Sequence, residues 1–153
     1  MPAKAARDWL DSAEPRIICV QFLDEDLPDI PMVLVDTSIW VIHLSRGSRQ
    51  LEKLLIDAEV MCHPFIIGEL ACGNLKNRNE IISLLQSLPE VPTIEFDEFL
   101  FFLDRNHLNG KGVGFVDIHL LASAQLTGVP LWTADKRLKS VADQLELTFK
   151  IRH

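Results

Sequence analysis

From residue 32 onward, hydrophobic positions fall into two alternating rhythms. Short apolar runs at 32–35, 59–62 and 131–133, rich in Val, Leu and Met, predict buried strands. Between them, apolar residues recur every three or four positions, as Leu51, Leu54 and Leu55 do, which predicts helices over 48–57, 79–88 and 97–108. Thr37 or Ser38 caps a helix running to about Ser45, and Gly47 stops it. Pro64 stands where the first helical turn tolerates proline, with Gly73 closing that helix. A glycine-punctuated loop at 110–114 feeds a helix over 115–126, which Gly128 and Pro130 end. Asp135 opens a further helix, and 147–150 reads as a last strand. This alternation predicts an α/β sandwich with a mainly parallel sheet. In such sheets ligands gather outside the carboxyl ends of the strands.

Composition narrows the class. The chain has 153 residues and is 48% hydrophobic, enough for one domain with a sizeable core. Its long uncharged run, 118–134, is broken by Ser123, Gln125, Gly128 and Pro130, so it reads as helix, turn and strand rather than a membrane span. Asp8 and Asp11 near the start argue against a secretory signal. Cys19, Cys62 and Cys72 lack zinc-ligand spacing and fit free thiols in a reducing cytosol. A net charge of −7 disfavours a protein that coats nucleic acid non-specifically. It leaves room for a nuclease that engages a few phosphates through local cations.

Four carboxylates stand where these elements meet their loops: Asp36 in VLVDTSIW, Glu69 in HPFIIGELACG, Asp117 in GKGVGFVDIHLLAS and Asp135 in LWTADKRL. Each has an ordinary reading. Asp36 and Asp135 are placed to cap helices, and Glu69 to form a salt bridge within an apolar helix. The helix dipole favours Asp117, although Leu120, Leu121 and Ala124 put it on the buried face. Taken jointly, four acids at successive element ends are harder to assign to chance. Converging, they would form a negative pocket for Mg²⁺ or Mn²⁺ and for phosphodiester chemistry. His43, His63, His107 and His119 show no zinc spacing. His119 points about 200° around the helix from Asp117, towards packing or an RNA rim. GKGVG lacks the GK[ST] of a Walker loop.

At these residues the chain resembles PIN-domain nucleases, and among them the VapC-type toxins of bacterial type II toxin–antitoxin systems. The resemblance rests on LVDTSIWVIHL, on GEL, on G-x-G-x-x-D-x-x-L-x-x-S/A and on L-W-T-x-D-K-R-L, in this order, and spans 32 to about 150. It implies a PIN-like three-layer α/β/α sandwich. Asp36, Glu69, Asp117 and Asp135 match the family's acidic quartet, and Thr37 or Ser38, with Thr133, match its hydroxyls. Further implications are Mg²⁺- or Mn²⁺-dependent RNA cleavage, a VapB-type antitoxin partner and a homodimer. Asp36 and Asp117 are the first choice as direct metal ligands, with Glu69 and Asp135 direct or through water. Lys111, Lys136, Arg137 and Lys139 are close enough in sequence to grip RNA. Phe99, Phe101, Phe102 and Trp40 could line an antitoxin groove.

The departure from the family is residues 1–31, an acidic extension before Met32, where members usually begin. Translation starting at Met32 would explain it, and a genuine acidic arm is the rival. Other functions fare worse. A haloacid-dehalogenase-like phosphatase needs a second acid where Ser38 stands, and a receiver domain needs paired acids and a lysine that only Lys136 could supply. The serious alternative is a catalytically silent PIN-type module that binds RNA or protein.

Overall fold

The computed structural model of the chain describes residues 30–151, so all but the last two residues of the extension at 1–31, Cys19 among them, lie outside the described residues. Three short strands, β1 (Val33–Val35), β2 (Val60–Met61) and β3 (Leu131–Trp132), form a parallel sheet in the order β2-β1-β3. Val33 pairs with Val60 and Leu34 with Met61 on one side of β1, and Leu34 with Leu131 and Val35 with Trp132 on the other. All three residues of β1 are buried, as a central strand covered on both faces must be.

Seven helices are seen among the described residues: α1 (Thr37–Arg46), α2 (Arg49–Ile56), α3 (Pro64–Cys72), α4 (Arg78–Ser87), α5 (Phe96–Arg105), α6 (Phe115–Thr127) and α7 (Lys136–Gln144). Several boundaries have visible causes. The Ser48 hydroxyl accepts from Leu51 N to start α2, Pro64 opens α3, and Gly128 closes α6 in the left-handed conformation at φ 70°.

Two edges differ from expectation. The last strand expected at 147–150 contributes one parallel bridge, Leu131 to Thr148, and Cys62 makes another with Glu90, in a segment not expected to pair. Hydrogen bonds from Leu131 N to Leu147 O and from Cys62 N to Pro89 O secure these edges. With them the spatial order runs Glu90, β2, β1, β3, Thr148. Chain direction across the sheet thus reverses after Glu90. Right-handed crossovers then send α1–α4 and α5–α7 to opposite faces, a three-layer α/β/α sandwich. In keeping with this, α1 packs on α3, α3 on α4, and α5 on α6. The reversal leaves a crevice where β1 and β3 end side by side, the switch point at which ligands bind in such sheets.

Candidate active site

Asp36 leaves β1 at that switch point and is buried, with 6% of its surface exposed. Its backbone starts α1 by accepting from Ile39 N and Trp40 N, yet its side chain makes no capping bond. The carboxylate instead accepts two hydroxyls on one oxygen, Oδ2, from Ser38 Oγ and Thr133 Oγ1, each at 2.7 Å. Capping is therefore not the reason for an acid here. Thr133 follows β3, so its bond to Asp36 ties the ends of the two neighbouring strands together.

Thr133 Oγ1 also accepts from Asp135 N at 3.0 Å, and Ser38 Oγ from Ala134 N at 3.0 Å. Asp135 is exposed and does cap α7, with Oδ1 accepting from Arg137 N at 2.9 Å and Leu138 N at 3.0 Å. Asp117, in the first turn of α6, is half-buried, and its Oδ2 accepts from Gly114 N at 3.1 Å. Burial raises its pKa above the usual carboxylate range; the Gly114 bond opposes this, and the charges of Asp36 and Asp135 add to the rise. Those charges bring three acids from three separate elements into one electrostatic neighbourhood.

Glu69 differs from its expected setting. It stands on the open face of α3, exposed beside exposed Gly68, and not among apolar neighbours. Its Oε1 accepts from Thr37 Oγ1 at 2.9 Å, which ties α3 to the first residue of α1. Both alternative hydroxyls, Thr37 and Ser38, are thus in use, one on each of two acids.

A common pattern emerges. Each carboxylate is tethered through one oxygen, and Asp36 Oδ1, Glu69 Oε2, Asp117 Oδ1 and Asp135 Oδ2 take part in no hydrogen bond or ion pair among the described residues. Hard, anionic oxygens of this kind suit Mg²⁺ or Mn²⁺ in chemistry. Among the described residues, no three His, Cys, Asp or Glu side chains lie close enough together to hold an ion as they stand. Repulsion between like charges favours that spread.

The other candidates separate clearly. Lys111, Lys136, Arg137 and Lys139 are exposed, and Lys139 pairs with Asp143 at 3.2 Å. His119 is buried and ringed by Phe65, Phe99 and Phe115, so packing is its role and a rim contact is not. Trp40, Phe99 and Phe102 are core residues and Phe101 is half-buried against the core, so they do not line an exposed groove. Among the described residues the exposed aromatics are Phe96 and Phe115, which sequence reasoning passed over. Cys62 and Cys72 are free thiols, as expected. No helix among the described residues is long and apolar enough to cross a membrane.

Comparison with known proteins agrees with this architecture. The family model of the PIN domain matches residues 33–144. Ribonuclease VapC32 from two strains of Mycobacterium tuberculosis, CDC 1551 / Oshkosh and ATCC 25618 / H37Rv, is 46% identical over 110 residues, which cover 71% of this chain and 89% of each relative. The crystal structure of PAE2754 from Pyrobaculum aerophilum superposes with a TM-score of 0.51 at 17% identity, covering 76% of this chain and 87% of that one, which supports the fold alone. With the switch-point acids, the family match and the VapC likeness in agreement, this chain belongs to the PIN-domain family and is of the VapC type.

Proposed function

We propose that this protein is a divalent-metal-dependent endoribonuclease, the toxin of a type II toxin–antitoxin pair. The observation that supports the reading is that Asp36, Asp117 and Asp135 share one electrostatic neighbourhood, with Glu69 tied to the first residue of α1, and that each acid is held through one oxygen with the other uncommitted. The likeness to proteins named ribonuclease VapC32 supports RNA as the substrate and a VapB-type antitoxin as the partner.

Asp36 and Asp117 would hold Mg²⁺ or Mn²⁺ directly, with Glu69 and Asp135 completing the sphere directly or through water. The ion supplies Lewis acidity and a water of lowered pKa for attack on phosphorus. The chain's own residues do the positioning. Ser38 and Thr133 fix the Asp36 carboxylate from two sides, so its free oxygen faces one direction without rotamer search. Gly114 does the same for Asp117, and Thr37 for Glu69. Two donors on Asp135 orient it while it caps α7.

Phe96 and Phe115 are 63% and 51% exposed and are joined through Phe99, with Leu100 exposed on the same helix as Phe96. A second copy of the chain would cover this apolar face in a homodimer.

Hydrolysis by water leaves a 5′-phosphate and a 3′-hydroxyl and does not need the 2′-hydroxyl of the scissile nucleotide. End analysis of cleaved RNA is expected to find those termini, and a 2′-deoxy substitution at the cleavage site is expected to be tolerated. Products ending in a 2′,3′-cyclic phosphate would contradict the mechanism. The alternative, a silent PIN-type binding module, predicts RNA or protein binding that Asp36→Asn leaves without any catalytic consequence.

A further inference from the structure

The glycine loop before α6 holds two glycines at positive φ, Gly110 at 72° and Gly112 at 78°, and their surroundings differ. Nothing approaches the position a side chain would take at Gly110 within 4 Å. At Gly112 a methyl group would stand 2.7 Å from Arg137 Cδ and 3.3 Å from its Nε and Nη1. The Arg137 side chain therefore lies across the Gly112 α-carbon, and a Cβ at that position would make the end of Arg137 move from where it rests.

This contact joins the two loops that carry the acids. Gly112 is two residues before Gly114, whose N–H holds Asp117, and Arg137 is two residues after Asp135. Arg137 makes no ion pair among the described residues. By contrast, Lys139 on the same helix is spent on Asp143. Lys136 and Lys111 are exposed cations without a comparable seat. A chain of net charge −7 that engages a polyanion needs its few cations held in place.

The geometry points to Arg137, seated on Gly112, as the residue that grips a phosphate of the RNA strand beside the acidic centre. This rests on the proposed ribonuclease reading and assigns within it one binding residue and the glycine that positions it. A planar guanidinium with its stem laid along a loop can present its fork of donors to two phosphate oxygens. Because the contact is to backbone phosphate, it is indifferent to base sequence.

The test is binding of a labelled single-stranded RNA of mixed sequence, with Mg²⁺, in the Asp117→Asn background where the proposed cleavage is silenced. Arg137→Ala is expected to weaken binding by roughly tenfold to a hundredfold, the range for losing a charge-assisted hydrogen bond. It should also flatten the dependence of log K on log salt by about 0.7, one single-strand phosphate contact. Arg137→Lys, which keeps the charge and loses the fork, falls between. Gly112→Ala is expected to lose affinity as Arg137→Ala does, to add little when combined with it, and to lose more than Gly110→Ala, which imposes the same backbone strain without the clash.

Arg137→Ala with parent affinity and an unchanged salt slope would overturn the role of Arg137 while leaving the ribonuclease reading intact. Equal losses for Gly110→Ala and Gly112→Ala, additive with Arg137→Ala, would overturn the seat. No RNA binding by the Asp117→Asn parent, with no cleavage by the unmodified chain, would overturn the ribonuclease reading and this inference together.

Discussion

Asp117 carries an electrostatic cost. Its pKa is raised chiefly by burial, then by Asp36 and Asp135, so the folded state holds its proton more tightly than the unfolded chain. Such a group contributes stability that is fully present below the unfolded pKa and lost as pH rises through the folded one. At neutral pH and without metal, Asp117→Asn should therefore melt at or above the temperature of the parent. That advantage should vanish in acid, in thermal melts run across pH. Thr133 works the other way. It is buried, and its hydroxyl satisfies Asp36 and Asp135 N together. Thr133→Val should destabilise the fold by about 1–3 kcal/mol in denaturant titrations, the cost of stranding buried polar partners. At this scale the sequence singled out four acids and hid how each is held. Asp36 and Asp135 occupy equivalent places after parallel strands, yet only Asp135 caps its helix. The difference lies in Thr133, which is 97 positions from Asp36 and reaches it only through strand pairing. Glu69 was misplaced because its sequence neighbours are apolar, whereas on a helix the residues beside it point to other faces.

Helices announced themselves through their punctuation. Ser48, Pro64, Gly73, Gly114 and Gly128 all stand at element ends, since capping and left-handed turns depend on single residues that can be read one at a time. The sheet edge at Glu90 did not, because a one-residue bridge has no period to detect, and the expected last strand at 147–150 shrank to a single bridge at Thr148. His63 starts α3 by accepting from Phe65 N through Nδ1, at 3.0 Å, and is fully buried beside Phe65 and His119. Burial, aided by His119, lowers its pKa from 6.5 to about 4. The folded state then resists protonation, so this contribution to stability is present above pH 6.5 and lost as pH falls towards about 4. His63→Asn supplies an acceptor at the same N-cap without a titrating ring. Its melting temperature should fall less than the parent's across that window, and equal slopes for the two proteins would refute the role of His63.

For the whole molecule, the sandwich was legible because three buried strands and their intervening helices left one economical arrangement, and the acids lay at its carboxyl edge. The exposed aromatic face was not legible, since burial of Phe99 and exposure of Phe96 follow from how α5 meets α6. If that face joins two copies, Phe96→Glu should halve the mass measured by light scattering without unfolding the chain. The matched segment begins at residue 33, so a chain starting at Met32 is expected to fold with an unchanged melting temperature. Intact-mass measurement of the chromosomally expressed protein separates a start at Met32 from a product that retains Pro2. If the four acids act as a single metal-dependent cutting centre, purified protein freed of antitoxin should cut total RNA in Mg²⁺ or Mn²⁺ but not in EDTA. Discrete fragments that need metal and disappear with Asp117→Asn are expected, while an intact, metal-binding protein that leaves the RNA whole would overturn the cutting centre.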